Sequence, residues 1–122
     1  MTIVLADPIA NMAPIVLASA SAARAALLRA AGVTITVDPA AVDEAEVKRA
    51  LRAEGASSSV VAETLAELKA QRTARRHPGT LVIGADQVLD FAGTTFDKPA
   101  NLAEARAQLL QLCGQQHELI SA

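Results

Sequence analysis

Ser19 and Ser21 stand one residue apart, between a short apolar run and an alanine-rich segment, with Arg24 three residues further on. Two hydroxyls and a guanidinium at such a joint suit the holding of a phosphate. A buried strand that turns into a helix leaves backbone N–H groups pointing out of the turn, and the helix dipole adds positive character there. The same residues have a plainer use, Ser21 as a helix cap and Arg24 as a solvated side chain. Neither GxGxxG nor GxxxxGK[ST] occurs in the chain, so neither the dinucleotide nor the P-loop fingerprint contributes.

Asp86 is the strongest single candidate for chemistry. It follows Val82-Ile83-Gly84-Ala85, where a buried strand emerges, and ligands of open α/β sheets bind outside the carboxyl ends of the strands. A carboxylate there can hold a divalent cation or take a proton from water; the alternative is a turn aspartate. Asp43 and Glu44 could complete a hard-cation site with Asp86, or serve only as the acids that favour a first helical turn. Lys69, Arg72 and Arg76 follow at spacings of three and four, one face of a helix, where such a stripe is usually solvated. Lys98 lies before Pro99, which restricts it to extended geometry and aims its charge. His77 and His117 have no partner at metal-ligand spacing and are expected to be structural or exposed. Cys113 is expected to be a small apolar residue at a helix end. A phosphate cradle, up to three acids and several cations together suit phosphoanhydride chemistry: cations neutralise the polyphosphate and a base activates water.

Those groups need elements to position them. Ile15 to Ala18 reads as a buried strand, and the Ala/Leu/Arg run that follows reads as a helix closed by Gly32. Val33 to Asp38 reads as a second strand ended by Pro39. A helix opens at Asp43-Glu44 and runs to about Glu54, and a third starts at Ser57-Ser58-Ser59 and runs to about Arg76. His77-Pro78-Gly79 breaks the chain. Thr80 to Ala85 is the most strand-like stretch, and Val88 to Phe91 resumes an extended pattern. Ala92-Gly93-Thr94 turns back through Thr95 and Phe96. Asn101 caps a fourth helix with Glu104 as its capping-box partner, Gly114 ends that helix, and Leu119-Ile120 begins another strand. The order β-α-β-α-α-β-β-α-β predicts an α/β domain with a mixed sheet and flanking helices. The final strand has no polar tail after it, which predicts that more chain should follow.

Composition narrows the partners. At 122 residues the chain is at most one domain, and with 52% hydrophobic residues it can bury a core. Only Phe91 and Phe96 are aromatic and the formal net charge is −2, which argues against a nucleic-acid surface. A single cysteine excludes an internal disulfide and fits a reducing cytoplasm. No apolar run approaches a membrane span. Residues 1–13 are expected to be an extension outside the fold.

Several motifs in order carry a resemblance. Leu17-Ala18-Ser19-Ala20-Ser21-Ala22-Ala23-Arg24, with Leu27-Leu28, is similar to LASxSPRRxxLL. Val42-Asp43-Glu44 resembles V-[DE]-E, Leu68-Lys69-Ala70 a helix K-A pair, and Val82 to Val88 the motif VIGAD[TQ]V. Lys98-Pro99 resembles KP, and Leu112 to His117 resembles LSGxxH. These are the motifs of the Maf family of nucleoside triphosphate pyrophosphatases, once described as septum-formation inhibitors, and residues 14–122 resemble the N-terminal portion of that domain.

The resemblance implies a Maf/ITPase-like α/β fold, incomplete at its C-terminus. It also implies hydrolysis of a nucleoside triphosphate to the monophosphate and pyrophosphate, with a divalent cation, magnesium or manganese. Asp86 becomes the proton acceptor. Ser19, Ser21, Arg24, Lys69 and Lys98 become phosphate-site residues, and Asp43 or Glu44 supports the metal beside Asp86. Ala23 stands where the family has a selectivity arginine, and Gln87 replaces the threonine of the branch that prefers dTTP and UTP, so the preferred base stays open. The family's later half is absent, which predicts a weakly active or inactive chain. Missing strands would leave a sheet edge exposed to aggregation or to a partner chain, a homodimer among the options. The rivals are a non-catalytic nucleotide-binding or cell-division regulatory protein and an inactive truncated copy.

Overall fold

The computed structural model describes residues 13–122, so the expected extension at residues 1–13 lies, except for its last residue, outside the described residues. Two compact units share the chain. One comprises the described residues up to Val42 with Leu68–Gly84, and the other Asp43–Glu67 with Ala85–Ala122.

The first unit is built on a three-stranded parallel sheet in the order β2-β1-β3, with β1 at Ile15–Leu17, β2 at Ile35–Val37 and β3 at Val82–Ile83. Ile15 pairs with Ile35 and Leu17 with Val37 on one side, and Val16 pairs with Val82 and Leu17 with Ile83 on the other. A central parallel strand is covered on both faces and reads as an unbroken apolar run. Val16, Leu17 and Ala18 accordingly are all buried. Helix α1 (Ala22–Ala30) connects β1 to β2. It ends in a Schellman turn: Gly32 N–H donates to Arg29 O (2.9 Å) and Val33 N–H to Leu28 O (3.0 Å). Gly32 sits at φ +79°, a conformation that costs glycine little. The expected strand over residues 80–85 shortens to Val82–Ile83 because its partner β1 is only three residues long.

The second unit carries an antiparallel sheet in the order β5-β4-β6, with β4 at Gln87–Phe91, β5 at Thr94–Phe96 and β6 at Glu118–Ser121. Ala92 (φ 51°) and Gly93 (φ 81°) form the two-residue loop of the β4–β5 hairpin, both in the left-handed region that tight hairpins demand. Phe91 and Phe96 meet edge to face across this hairpin with ring centroids 5.9 Å apart. Helix α2 (Glu44–Ala53) precedes the start of α3, and α4 (Leu102–Leu112) leads into β6. Asn101 caps α4 as expected, its Oδ1 accepting from Glu104 N–H at 2.9 Å, while Glu104 Oε2 accepts from Ala100 N–H at 2.7 Å.

Helix α3 (Ser58–Ala74) contributes to both units. Val61, Ala62, Leu65 and Ala66, at helical spacing, are buried in its first part, and Thr73 is buried in its last. The sequence order counts two strands between α3 and α4, where the structure has three. Parallel and antiparallel pairing are both present, divided between the two sheets. Among the described residues, no helix is long and apolar enough to cross a membrane.

Candidate functional site

The phosphate-cradle residues form one hydrogen-bonded turn in the first unit. Ser19 follows β1 and is buried, with 5% of its surface exposed. Its Oγ accepts from Ser21 N–H (3.2 Å) and from Arg24 Nη1 (2.9 Å). Ser21 caps α1, its Oγ accepting from Arg24 N–H at 3.3 Å. Ser21 therefore caps the helix as one of its two expected uses, within the same turn that holds Ser19 and Arg24. The Arg24 guanidinium is folded back over the turn instead of reaching into solvent, and the N–H groups of Ala22 and Ala23 have no acceptor within the helix by helix geometry. Ala23 is exposed on this first turn. An anion placed here would meet a fixed cation and the positive end of a helix.

Ala18 N–H donates to Ile83 O at 2.8 Å, so β1 and β3 end together. The Ser19 turn and Gly84 both leave the sheet at its carboxyl edge, and Asp86 follows Gly84 by two residues. In the second unit Asp86 is buried, 6% exposed, and its backbone is held by a reciprocal pair of bonds with Ala122 (2.9 and 3.0 Å), which extends the β4–β6 ladder. Gln87 is exposed, and its Nε2 donates to Ser121 Oγ at 3.0 Å.

The remaining candidates fall in separate places. Lys69 is half-buried in α3. Lys98 is exposed, in a segment that its neighbour anchors: Asp97 Oδ1 lies 2.8 Å from Lys48 Nζ, and Asp97 O accepts from Gln108 Nε2 at 2.9 Å. The Lys48 hydrogen bond holds the Asp97 carboxyl below the usual carboxylate range, with a smaller contribution from Arg52. Asp43 is the N-cap of α2, its Oδ1 accepting from Glu46 N–H at 3.1 Å, and Glu44 is half-buried in the first turn. Among the described residues no three His, Cys, Asp or Glu side chains gather closely enough to hold a metal ion, so Asp43, Glu44 and Asp86 are not assembled into a protein-only cation site. One buried carboxylate with hard oxygen donors suits a cation that arrives bound to phosphate oxygens, since magnesium needs only one or two carboxylates beside them.

One cluster in the first unit escaped the reading of the sequence. Asp38 accepts from Arg76 Nε (3.1 Å) and from His77 Nε2 (2.7 Å), and Arg76 Nη2 also reaches Pro39 O (3.3 Å). The Arg76 bond, then that of His77, holds the Asp38 carboxyl below its ordinary value. Thr73 Oγ1 donates to Asp38 O at 3.1 Å, and Arg72 donates to Ala41 O. The basic stripe expected to be solvated thus ties the segment after β2 to the end of α3. A local signal existed, an acid directly after a strand, but its partners lie almost 40 residues away.

A cavity of about 460 Å³ opens in the second unit, lined by Arg52, Ser57, Ser58, Asp90, Thr94 and Thr95 among others. None of the residues selected from the sequence lines it. Its polar groups bond to one another: Arg52 to Thr95, Ser58 to Asp90, and Gly93 N–H to Asp90 Oδ1 at 2.9 Å.

Residues 14–122 match the family model described as "Maf-like protein". A protein of Paramagnetospirillum magneticum named nucleoside triphosphate pyrophosphatase is 58% identical over 106 residues, which is 87% of this chain and 55% of that protein. Proteins with the same name from Granulibacter bethesdensis and Ruegeria pomeroyi are 49% and 50% identical over 88% and 89% of this chain, and again over 55% of their own lengths. The chain spans about half the length of the curated relatives it matches. With the motifs running in order along a family match that covers every described residue but the first, the chain belongs to the Maf family.

Proposed function

We propose that this chain carries the triphosphate-binding turn and the base-bearing strand of a nucleoside triphosphate pyrophosphatase that removes unwanted (d)NTPs or modified nucleotides from the pool. The observation that carries the reading is the shared carboxyl edge of β1 and β3. From it leave both the Ser19–Arg24 turn and the segment that leads to Asp86. The name borne by the relatives supports the reaction.

In this reading Ser19, Ser21 and Arg24 hold phosphate oxygens, and Lys69 and Lys98 add positive charge to the polyphosphate. The Asp86 carboxylate accepts a proton from water as the water oxygen forms a bond to the α-phosphorus. The P–O bond to the β-phosphate breaks and its electron pair leaves with pyrophosphate, so the products are a nucleoside monophosphate and pyrophosphate. A divalent cation, magnesium or manganese, would supply charge neutralisation on the phosphate oxygens, with Asp86 and one of Asp43 or Glu44 as the groups to hold it. Ala23 and Gln87 bear on the choice of base. The reading places the protein in the cytoplasm, as part of a Maf-like domain beginning near residue 14, with a nucleotide rather than nucleic acid or membrane as its partner, and allows a homodimer.

Incubation with a nucleotide panel and magnesium or manganese tests it. The expected products are monophosphate and pyrophosphate in equal amounts, and Asp86→Asn lowers their formation by about 10²- to 10⁴-fold. Diphosphate with inorganic phosphate, or a chain that neither binds nor hydrolyses any nucleotide, would overturn it.

A further inference from the structure

In the second unit, Asp97 to Asn101 are all exposed and belong to neither the strand that ends at Phe96 nor the helix that begins at Leu102. An exposed linker without ladder bonds moves unless side chains tie it down. This one is tied on both sides of Lys98. Asp97 Oδ1 accepts from Lys48 Nζ at 2.8 Å and lies 3.9 Å from Arg52 Nη2. Asp97 O accepts from Gln108 Nε2 at 2.9 Å, and Ala100 N–H donates to Glu104 Oε2 at 2.7 Å. Pro99 fixes its own φ and holds Lys98 to extended geometry. Lys98, between the ties, makes no side-chain hydrogen bond or ion pair among the described residues. The tie from α2 is the long-range one: Gln108 stands 11 positions from Asp97, and Lys48 stands 49. Lys48 lies on the half-buried face of α2 with Glu44, Val47 and Leu51, its side chain 17% exposed. A lysine covered to that extent has already lost much of its rotamer freedom, so pairing costs it less than it costs an exposed ion pair. The bond fixes the Lys98 segment against the helix whose first turn carries Glu44.

We infer that Lys48 and Asp97 are a positioning pair, whose bond holds residues 97–101 so that Lys98 presents its ammonium to the polyphosphate of the substrate. The inference rests on the reading of Lys98 as a phosphate-site residue. Both partners act through Lys98, and neither is placed against the substrate. Their opposite charges separate this role from a simple field effect. Acting by charge alone, loss of Lys48 would weaken the binding of an anion and loss of Asp97 would strengthen it. Acting by position, loss of either partner frees the same segment and weakens binding in both cases. Losing both then does no more than losing one, because the bond is already gone.

Calorimetric titration of inorganic tripolyphosphate into the 122-residue chain, without a divalent cation, tests the inference, together with backbone order parameters measured by NMR without ligand. Lys98→Ala is expected to lower affinity about tenfold, and Lys48→Met and Asp97→Asn each about threefold. The double variant Lys48→Met/Asp97→Asn stays at the level of the single variants, and Lys48→Arg, which keeps the charge, stays within about twofold of wild type. Arg49→Met removes a cation of the same helix that pairs with Glu46 instead, and its affinity stays near wild type. The order parameters of Lys98 and Ala100 fall from about 0.85 toward about 0.6 in both single variants. Circular dichroism melts check that each variant remains folded. Tighter binding by Asp97→Asn, wild-type affinity in the double variant, or unchanged order parameters would each overturn the inference. A wild-type chain that does not bind tripolyphosphate, or a Lys98→Ala chain that binds it as well as wild type, would overturn the phosphate reading itself and the inference with it.

Discussion

In the first unit β1 lies between two parallel neighbours, and the polar groups that follow β1 and β2 are bonded within the unit: Ser19 to Arg24, and Asp38 to Arg76 and His77. In the second unit the sheet is antiparallel, α4 has no fully buried residue, and three of its leucines face outward. The first unit completes its functional turn with short-range contacts. The second supplies Asp86 from a strand beside a sheet edge that its own residues leave open. Under the proposed reading, a phosphate-binding turn and a water-activating carboxylate therefore make different demands on the chain. The first is a turn that a few residues build, and the second a carboxylate whose backbone is held by Ala122 across the β4–β6 ladder.

The sharpest way to break this division is Asp86→Asn. Turnover is expected to fall by about 10²- to 10⁴-fold while nucleotide binding without a divalent cation changes by no more than about twofold, read as kcat against dissociation constant. A parallel loss of binding would erase the distinction. Ser19→Ala comes next. It removes the buried acceptor of both Ser21 N–H and Arg24 Nη1, and is expected to cost about 1–3 kcal/mol of stability in the first unit together with weaker nucleotide binding. Denaturant melts and calorimetric titration check the two effects. Ser21→Ala should cost about 1 kcal/mol through loss of the α1 cap alone, with α1 amides exchanging faster and those of α4 unchanged.

Acid compares the units directly, because each holds one carboxyl below its ordinary value, Asp38 through Arg76 and Asp97 through Lys48. A depressed folded-state value stabilises above the ordinary carboxylate range and is lost as pH falls through the lower folded value. Both pairs are at least partly exposed, so the effects are small. Melting temperature should decline as pH is lowered from 5 toward 3, and Asp38→Asn should flatten that decline for the first unit only.

The features legible in the sequence are those encoded within a few residues. Ser21 as a cap, the Asn101–Glu104 pair and the Ala92-Gly93 turn all involve partners three residues apart or closer. The spacing of Ser19 and Arg24 was legible as a candidate phosphate site, not as the hydrogen bond they form. The division of residues 80–91 between two ladders was not, because it depends on β1, more than 60 residues back, and on β6, some 30 ahead. Asp38, Arg76 and His77 read in the sequence as a strand end, a helical cation and part of a chain breaker. Only folding joins them. Asp43 had two uses open to it, and the structure shows the capping one. Lys98 reads in the sequence as restricted by Pro99, whereas the Asp97–Lys48 pair that anchors its segment spans 49 positions.

Calorimetric titration, without a divalent cation, of a non-hydrolysable nucleoside triphosphate into the wild-type chain, Arg24→Ala and Asp86→Asn tests the central assignment of roles most directly. The account predicts binding by the wild-type chain, a loss of roughly tenfold or more for Arg24→Ala, and near wild-type affinity for Asp86→Asn. Unchanged affinity in Arg24→Ala, or loss of binding in Asp86→Asn, would contradict it.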